Sequence, residues 1–248
     1  MSTGGFSGLG GGSNVPAAPA VPEAPPEYLK DFEITSSSQG APKIAPASTQ
    51  TGPGFMKNVS NVSDWQNDTS SLEQNAFYSY SMNSVYSALN NNLRTGSPLT
   101  QKQRDVVKNV KSAIAKFELK EPIMMHRKST LDLLGIDPGS YRPGRTNEAQ
   151  SLVQQINDMV KASSGNWQVQ EKAFTSSSPN EDSFYHSGPS VQYHINTPAG
   201  KGIGAYMAKY SHYEKESEFL FDIGSKFKIR GAYEKNGVVH INMDYDGK

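Results

Sequence analysis

Glu216 and Glu218 stand two positions apart just ahead of an apolar run, Phe219, Leu220 and Phe221. Side chains alternate between the faces of a strand, so in an extended segment both carboxylates point the same way. Two like charges held that close are unfavourable unless something cationic or hydrogen-bonding lies opposite, which makes the pair a site candidate. Taken alone, the same two residues also describe a solvated strand edge with two surface acids.

The elements around the pair set its context. From Ser217 onward, β-branched and aromatic residues, a Gly224-Ser225 break and the renewed alternation of Phe227 and Ile229 predict two strands joined by a turn. Within 248 residues, 35% apolar, there is room for one large domain or for a medium domain with a tail, and the opening favours the tail. Residues 1–60 are rich in Gly, Pro, Ala and Ser, with too little apolar content to offset the entropy of ordering, and read as a disordered leader. Residues 28–34 are the one patch in it that could dock on a partner. The composition fits a secretion, packaging or linker segment as well as a domain-junction scar. The domain is then expected over residues 61–248, with order beginning near Ser70. The sequons at Asn58, Asn61 and Asn67 read as chance matches.

Lys plus Arg and Asp plus Glu balance at 24 each, so no electrostatic footprint for nucleic acid or a membrane surface is present. The chain has no cysteine, which excludes disulfides, thiolate catalysis and cysteine-based zinc sites. A chain without cross-links is compatible with unfolding for passage through a pore. No run reaches the roughly 18 apolar residues of a membrane span, and no conventional signal peptide is seen.

Tyr78, Met82, Val85, Leu89 and Leu93 recur at helical spacing, with Gly96 placed as a C-cap. Thr100 and Gln103 form a capping-box pattern ahead of the stripe Val106, Val107, Val110, Ile114 and Phe117. Residues 122–127 read as the first core strand, ending in Arg127. A third helix follows a Pro/Gly-rich loop, capped by Thr146 or Asn147, with Leu152, Ile156 and Met159 inward. Beyond Gly165 the period changes to two, giving six or so strands. Helices first and strands afterwards predict an α+β fold and disfavour a Rossmann-type unit. The glycines Gly200, Gly202 and Gly204 open a strand, so they read as a turn rather than a phosphate loop.

Arg127, the stretch Phe174-Thr175-Ser176-Ser177-Ser178 and Glu216-Ser217-Glu218 follow one another in an order that resembles the Arg-Ser-Glu class of bacterial mono-ADP-ribosyltransferases, specifically the iota-type, actin-modifying toxins. The second motif of that family is Phe-x-Ser-Thr-Ser, with Ser177 here in the threonine position. The third, from Glu216 to Phe227, fits at every position. Leu89-Asn90-Asn91-Asn92-Leu93-Arg94, followed by Pro98-Leu99-Thr100, is similar to the family's Ile-Asn-x-x-Leu-Arg helix and its loop. His126 stands where an aromatic usually precedes the first-motif arginine, and Lys128 where a small residue usually follows.

The resemblance covers residues 78–243 and implies two packed, mainly antiparallel sheets around an NAD cleft, with NAD as a substrate. Breaking the nicotinamide–ribose bond leaves an oxocarbenium-like cation, as in glycoside hydrolysis. It implies Glu218 as the carboxylate beneath that carbon, Ser176 as the hydroxyl holding Glu218, and Arg127 as a planar charged fork for the pyrophosphate. Glu216 would engage the acceptor, a glutamate there going with arginine acceptors where the relatives acting on Rho-type GTPases carry glutamine. Tyr213 would contact the protein substrate. Tyr80 or Tyr86, and Phe184 or Tyr185, are candidates for packing on adenine or nicotinamide, although aromatics at such spacing are more often core. His126, His186, His194, His212 and His240 show no metal-ligand spacing, and no metal is expected. The expected protein is a monomeric toxin or effector, secreted or translocated by a delivery apparatus or larger toxin, acting on host actin in the target-cell cytoplasm. A phage-type transferase aimed at bacterial proteins and a catalytically silent adaptor are the alternatives.

Overall fold

Apolar side chains at helical spacing fill the first half of the folded chain and strands with period two fill the second, as a computed structural model of residues 53–183 and 190–248 shows. The helices are α1 (Pro53–Val59), α2 (Val62–Asp68), α3 (Ser71–Ser81), α4 (Asn83–Thr95), α5 (Gln101–Lys116) and α6 (Thr146–Ala162). Order therefore starts before Ser70. Met56, Val59, Val62 and Trp65 are buried, and the indole of Trp65 donates to the Ala113 carbonyl at 2.8 Å while packing edge-on to Phe77 and Phe117. The end of the expected leader thus belongs to the core; its remainder lies outside the described residues.

The single helix expected to run up to Gly96 is two. Met82 takes an extended conformation between α3 and α4, where Ser81 hydrogen-bonds back to the Tyr78 carbonyl. Hydroxyls that compete with the backbone in this way end helices. The break turns Phe77 and Tyr80 inward and leaves Tyr78 exposed. Gly96 caps α4 with φ 73°, and Thr100 and Gln103 form the expected capping box on α5. Helix α6 starts at Thr146, but neither Thr146 nor Asn147 caps it: Arg145 occupies that position without a side-chain cap.

The strands are β1 (Glu118–Leu119), β2 (Ile123–Ser129), β3 (Gln168–Gln170), β4 (Thr175–Ser177), β5 (Val191–Thr197), β6 (Gly200–Lys201), β7 (Gly204–Tyr206), β8 (Phe219–Phe221), β9 (Lys226–Lys235) and β10 (Val238–Tyr245). One sheet has the order β2-β5-β10-β9-β3, antiparallel except for β5 with β10; a second has the order β4-β8-β7, and β1 pairs with β6. The parallel pair follows from topology, because the chain leaves the first sheet after β5 to build the second. Reciprocal backbone hydrogen bonds between His126 and Ser178, at 2.7 and 2.8 Å, fasten the edge of one sheet to the other. Helix α6 covers β9 and β10, with the Asn157 amide serving both backbone groups of Ala232. Among the described residues no helix is long and apolar enough to cross a membrane.

Strands β7 and β8 approach so closely that a Cβ at Gly204 would lie 2.5 Å from the Leu220 carbonyl oxygen and 2.5 Å from the Phe219 ring. Gly204→Ala is expected to cost about 1–3 kcal/mol, because backbone and a buried ring must both yield. A urea midpoint equal to that of the parent would show that the strands part freely.

Candidate active site

The stretch ahead of β8 is not a strand. Glu214–Glu216 form a 3₁₀ turn, and Ser217 then adopts a left-handed conformation, φ 50° and ψ 41°. The carboxylates are therefore not brought together by strand alternation; the reversal at Ser217 separates a half-buried Glu216 from a Glu218 that is 5% exposed. A left-handed serine costs on the order of 1 kcal/mol and persists where its surroundings fix it. Here Ser178 donates its hydroxyl to the Ser217 carbonyl at 3.2 Å, and Met207 donates its N–H to the Glu218 carbonyl at 2.9 Å.

Burial pushes the Glu218 carboxyl up to about 7; Ser176 and Arg127 pull it back, while the charge of Glu216 adds to the rise. Burial also raises Glu216. Ser176 comes from β4, which pairs with β8, and its side chain hydrogen-bonds with Glu218 and with the Tyr80 hydroxyl. Asn90 on α4 donates to that hydroxyl at 3.0 Å, completing a line from buried Asn90 and Tyr80 through half-buried Ser176 to buried Glu218. Tyr80 is 1% exposed and packs edge-on to Phe174, so it offers no open ring face for stacking; its hydroxyl meets Ser176 instead.

Arg127 lies within β2, which continues to Ser129. Its Nη1 donates to the Ser176 carbonyl at 2.7 Å and its Nη2 to the Ser129 hydroxyl at 3.2 Å. Burial lowers the guanidinium from its ordinary range and the Glu171 carboxylate pulls it back up; it stays a cation at any ordinary pH. Arg127, Ser176 and Glu218 are thus one connected group. Beside them a cleft of about 320 Å³ is lined by Arg94, Arg127, Ser129, Glu171, Lys172 and Tyr193, among others. Glu171 takes a two-pronged ion pair from Arg94, at 3.0 and 3.1 Å, so two arginines face the cleft with one carboxylate between them. Such an arrangement suits a polyanion. Sequence reasoning assigned no role to Asn90, Arg94 or Glu171. The first two lie in the helix motif and could have been found there; Glu171 carries no local signal.

Tyr86 is 42% exposed on α4, with its ring 6.5 Å from Tyr80. Tyr213 is 39% exposed at the start of the 3₁₀ turn, its carbonyl accepting from the Glu216 N–H at 3.1 Å. Its ring packs against His212, which in turn meets Tyr78. Phe184 and Tyr185 lie outside the described residues.

A family model described as ADP-ribosyltransferase exoenzyme matches residues 58–246. No curated protein matches the sequence significantly. Among solved structures, the fold is similar to Plx2a, an ADP-ribosyltransferase toxin from Paenibacillus larvae (15% identity, TM-score 0.65, covering 80% of this chain and 96% of that one). It is similar to the Clostridium limosum C3 exoenzyme (18% identity, TM-score 0.67, 83% and 98%). It also resembles BECa, the ADP-ribosylating toxin of a binary enterotoxin of C. perfringens, solved with NADH (17% identity, TM-score 0.66). There the match covers 83% of this chain and 50% of BECa, so the chain spans half the length of that toxin. At such identities these likenesses speak for the fold.

Proposed function

The chain belongs to the ADP-ribosyltransferase exoenzyme family, and from that premise we propose that it is an iota-type, Arg-Ser-Glu transferase that moves ADP-ribose from NAD to an arginine of actin. NAD is its substrate and a protein side chain the acceptor. The observation that supports the finer reading is the linkage of Arg127, Ser176 and Glu218 beside a cleft holding two arginines.

In this reading the glycosidic bond to nicotinamide breaks with its electron pair going to the ring nitrogen, and nicotinamide leaves neutral. The cationic sugar carbon faces Glu218, whose charge is worth most in a site shielded from water. Arg127 and Arg94 hold the pyrophosphate. A guanidine nitrogen of the acceptor bonds to the sugar carbon and gives up a proton, for which Glu216 is the base. Tyr213, with His212 and Tyr78 behind it, forms the surface that meets the acceptor. The transferase domain takes in residues 61–248 together with α1, which precedes them and packs as its leading edge. The protein acts as a delivered toxin in the cytoplasm of a target cell.

Because Glu218 must be charged, kcat/KM for NAD is expected to rise about tenfold per pH unit below a midpoint near 7 and to level off above it. A flat profile between pH 5.5 and about 8.5 contradicts that role. Glu216→Gln and Tyr213→Ala are expected to depress transfer to protein by at least about 10²-fold and about tenfold respectively, while leaving hydrolysis of NAD by water within a few-fold of the parent. Labelled NAD supplied to eukaryotic and bacterial lysates in parallel tests the acceptor. A labelled actin band supports the reading; labelling confined to bacterial proteins replaces it with a phage-type transferase, and no NAD turnover with any lysate leaves only a silent adaptor.

A further inference from the structure

On the sheet face opposite the Arg127 cleft, three histidines far apart in the chain come into one row. His126 on β2 and His194 on β5 are direct register partners, while Arg127 and Tyr193, the next pair along, point to the other face. The Nδ1 atoms of His126 and His194 are 2.9 Å apart, and Nε2 of His194 is 2.9 Å from Nδ1 of His240 on β10. All three rings are buried. Glu181, exposed in the segment after β4, places a carboxylate oxygen within 4.8 Å of both His126 and His194 ring nitrogens.

We propose that His126, His194 and Glu181 form a binding site for a divalent transition-metal ion of the zinc type. Two imidazole nitrogens and one carboxylate oxygen, with a fourth position open, are a ligand set such ions accept. Ligands of a tetrahedral zinc lie about 3.3 Å from one another, given bonds near 2.0–2.1 Å, so the observed spacings require only small side-chain movements. The two facing Nδ1 atoms can share only one proton between them, whereas an ion satisfies both lone pairs at once. His194 would then carry its proton on Nε2 and donate it to His240, the outer hydrogen bond that orients ligating imidazoles. Burial favours the neutral, ligating form of all three rings. Charge favours a cation as well: the Glu181 and Asp182 carboxylates act on the row against Lys235, while Glu234 lies on the other face of β9. An ion there ties the segment after Ser177 to β2 and β5, independently of the NAD cleft.

The test uses untagged full-length protein, stripped with chelator and titrated with zinc against a chromophoric competitor, and with cobalt followed by visible absorption. One zinc per chain, a cobalt spectrum of a four-coordinate site and a zinc-dependent rise in thermal midpoint are expected. Glu181→Gln, an exposed change that leaves the fold intact, should weaken zinc at least about tenfold, and His126→Gln should abolish the stoichiometric site. His212→Gln, an exposed histidine elsewhere, should leave affinity unchanged. Absence of stoichiometric binding, or equal affinity in Glu181→Gln and the parent, overturns the proposal. None of these readouts depends on transferase activity.

Discussion

Glu218→Gln is expected to lower kcat by at least about 10²–10³-fold and, at the same time, to make the protein more stable at pH 8. The first effect follows from charge. Glutamine keeps the shape and the hydrogen bond to Ser176, yet offers no anion to a cationic sugar carbon. The second follows from linkage. The folded carboxyl titrates at about 7, against 4.5 for an unperturbed glutamate, so between those pH values the folded protein holds a proton that the unfolded chain has released. The stabilisation from this group is therefore complete below pH 4.5, falls as pH rises and is gone above 7. The penalty of keeping the buried charge is on the order of 3 kcal/mol at pH 8. Glutamine removes it, so urea midpoints should diverge in favour of the variant at pH 8 and converge near pH 4.5. A variant destabilised equally at both pH values would mean that Glu218 is held by ordinary polar packing, with no strained charge reserved for chemistry.

Arg127→Lys is expected to cost about 10²-fold or more in kcat/KM for NAD, chiefly through KM, although the charge is conserved. Truncating one partner of a buried, hydrogen-bonded charge typically costs about 2–5 kcal/mol. The guanidinium reaches the Ser176 carbonyl and the Ser129 hydroxyl with different nitrogens and keeps further N–H groups for a phosphate in the cleft. An ammonium is a point donor that lacks this fork. Steady-state kinetics separate two outcomes. A rise in KM marks Arg127 as the pyrophosphate clamp. A fall in kcat at unchanged KM would assign it instead to holding β4, and hence Ser176 beneath Glu218, and would remove the clamp from the reading.

Much of this was legible along the chain because it depends on neighbours in sequence. The capping box at Thr100 and Gln103, the turn at Gly224 and Ser225, and the change from helical to alternating period near Gly165 are local patterns with local causes, and the structure carries them as read. The order of the arginine, serine and glutamate motifs belongs to the same category, since each sits on or beside its own strand.

The sequence by itself determined which groups are available, in what order, and on which kinds of element. Tertiary structure decided how they meet. Reading Glu216 and Glu218 as strand neighbours failed because one left-handed residue, Ser217, is held there by Ser178 from a distant segment. Tyr80 was read as a possible stacking platform, but the break at Met82 turns it into the core, onto Ser176. Glu171 joins Arg94 and Arg127, and three histidines form a row, only because strands remote in sequence are adjacent in space. Sequence patterns record short-range geometry, whereas charge pairing, burial and the proton affinity they set depend on contacts across the sheets.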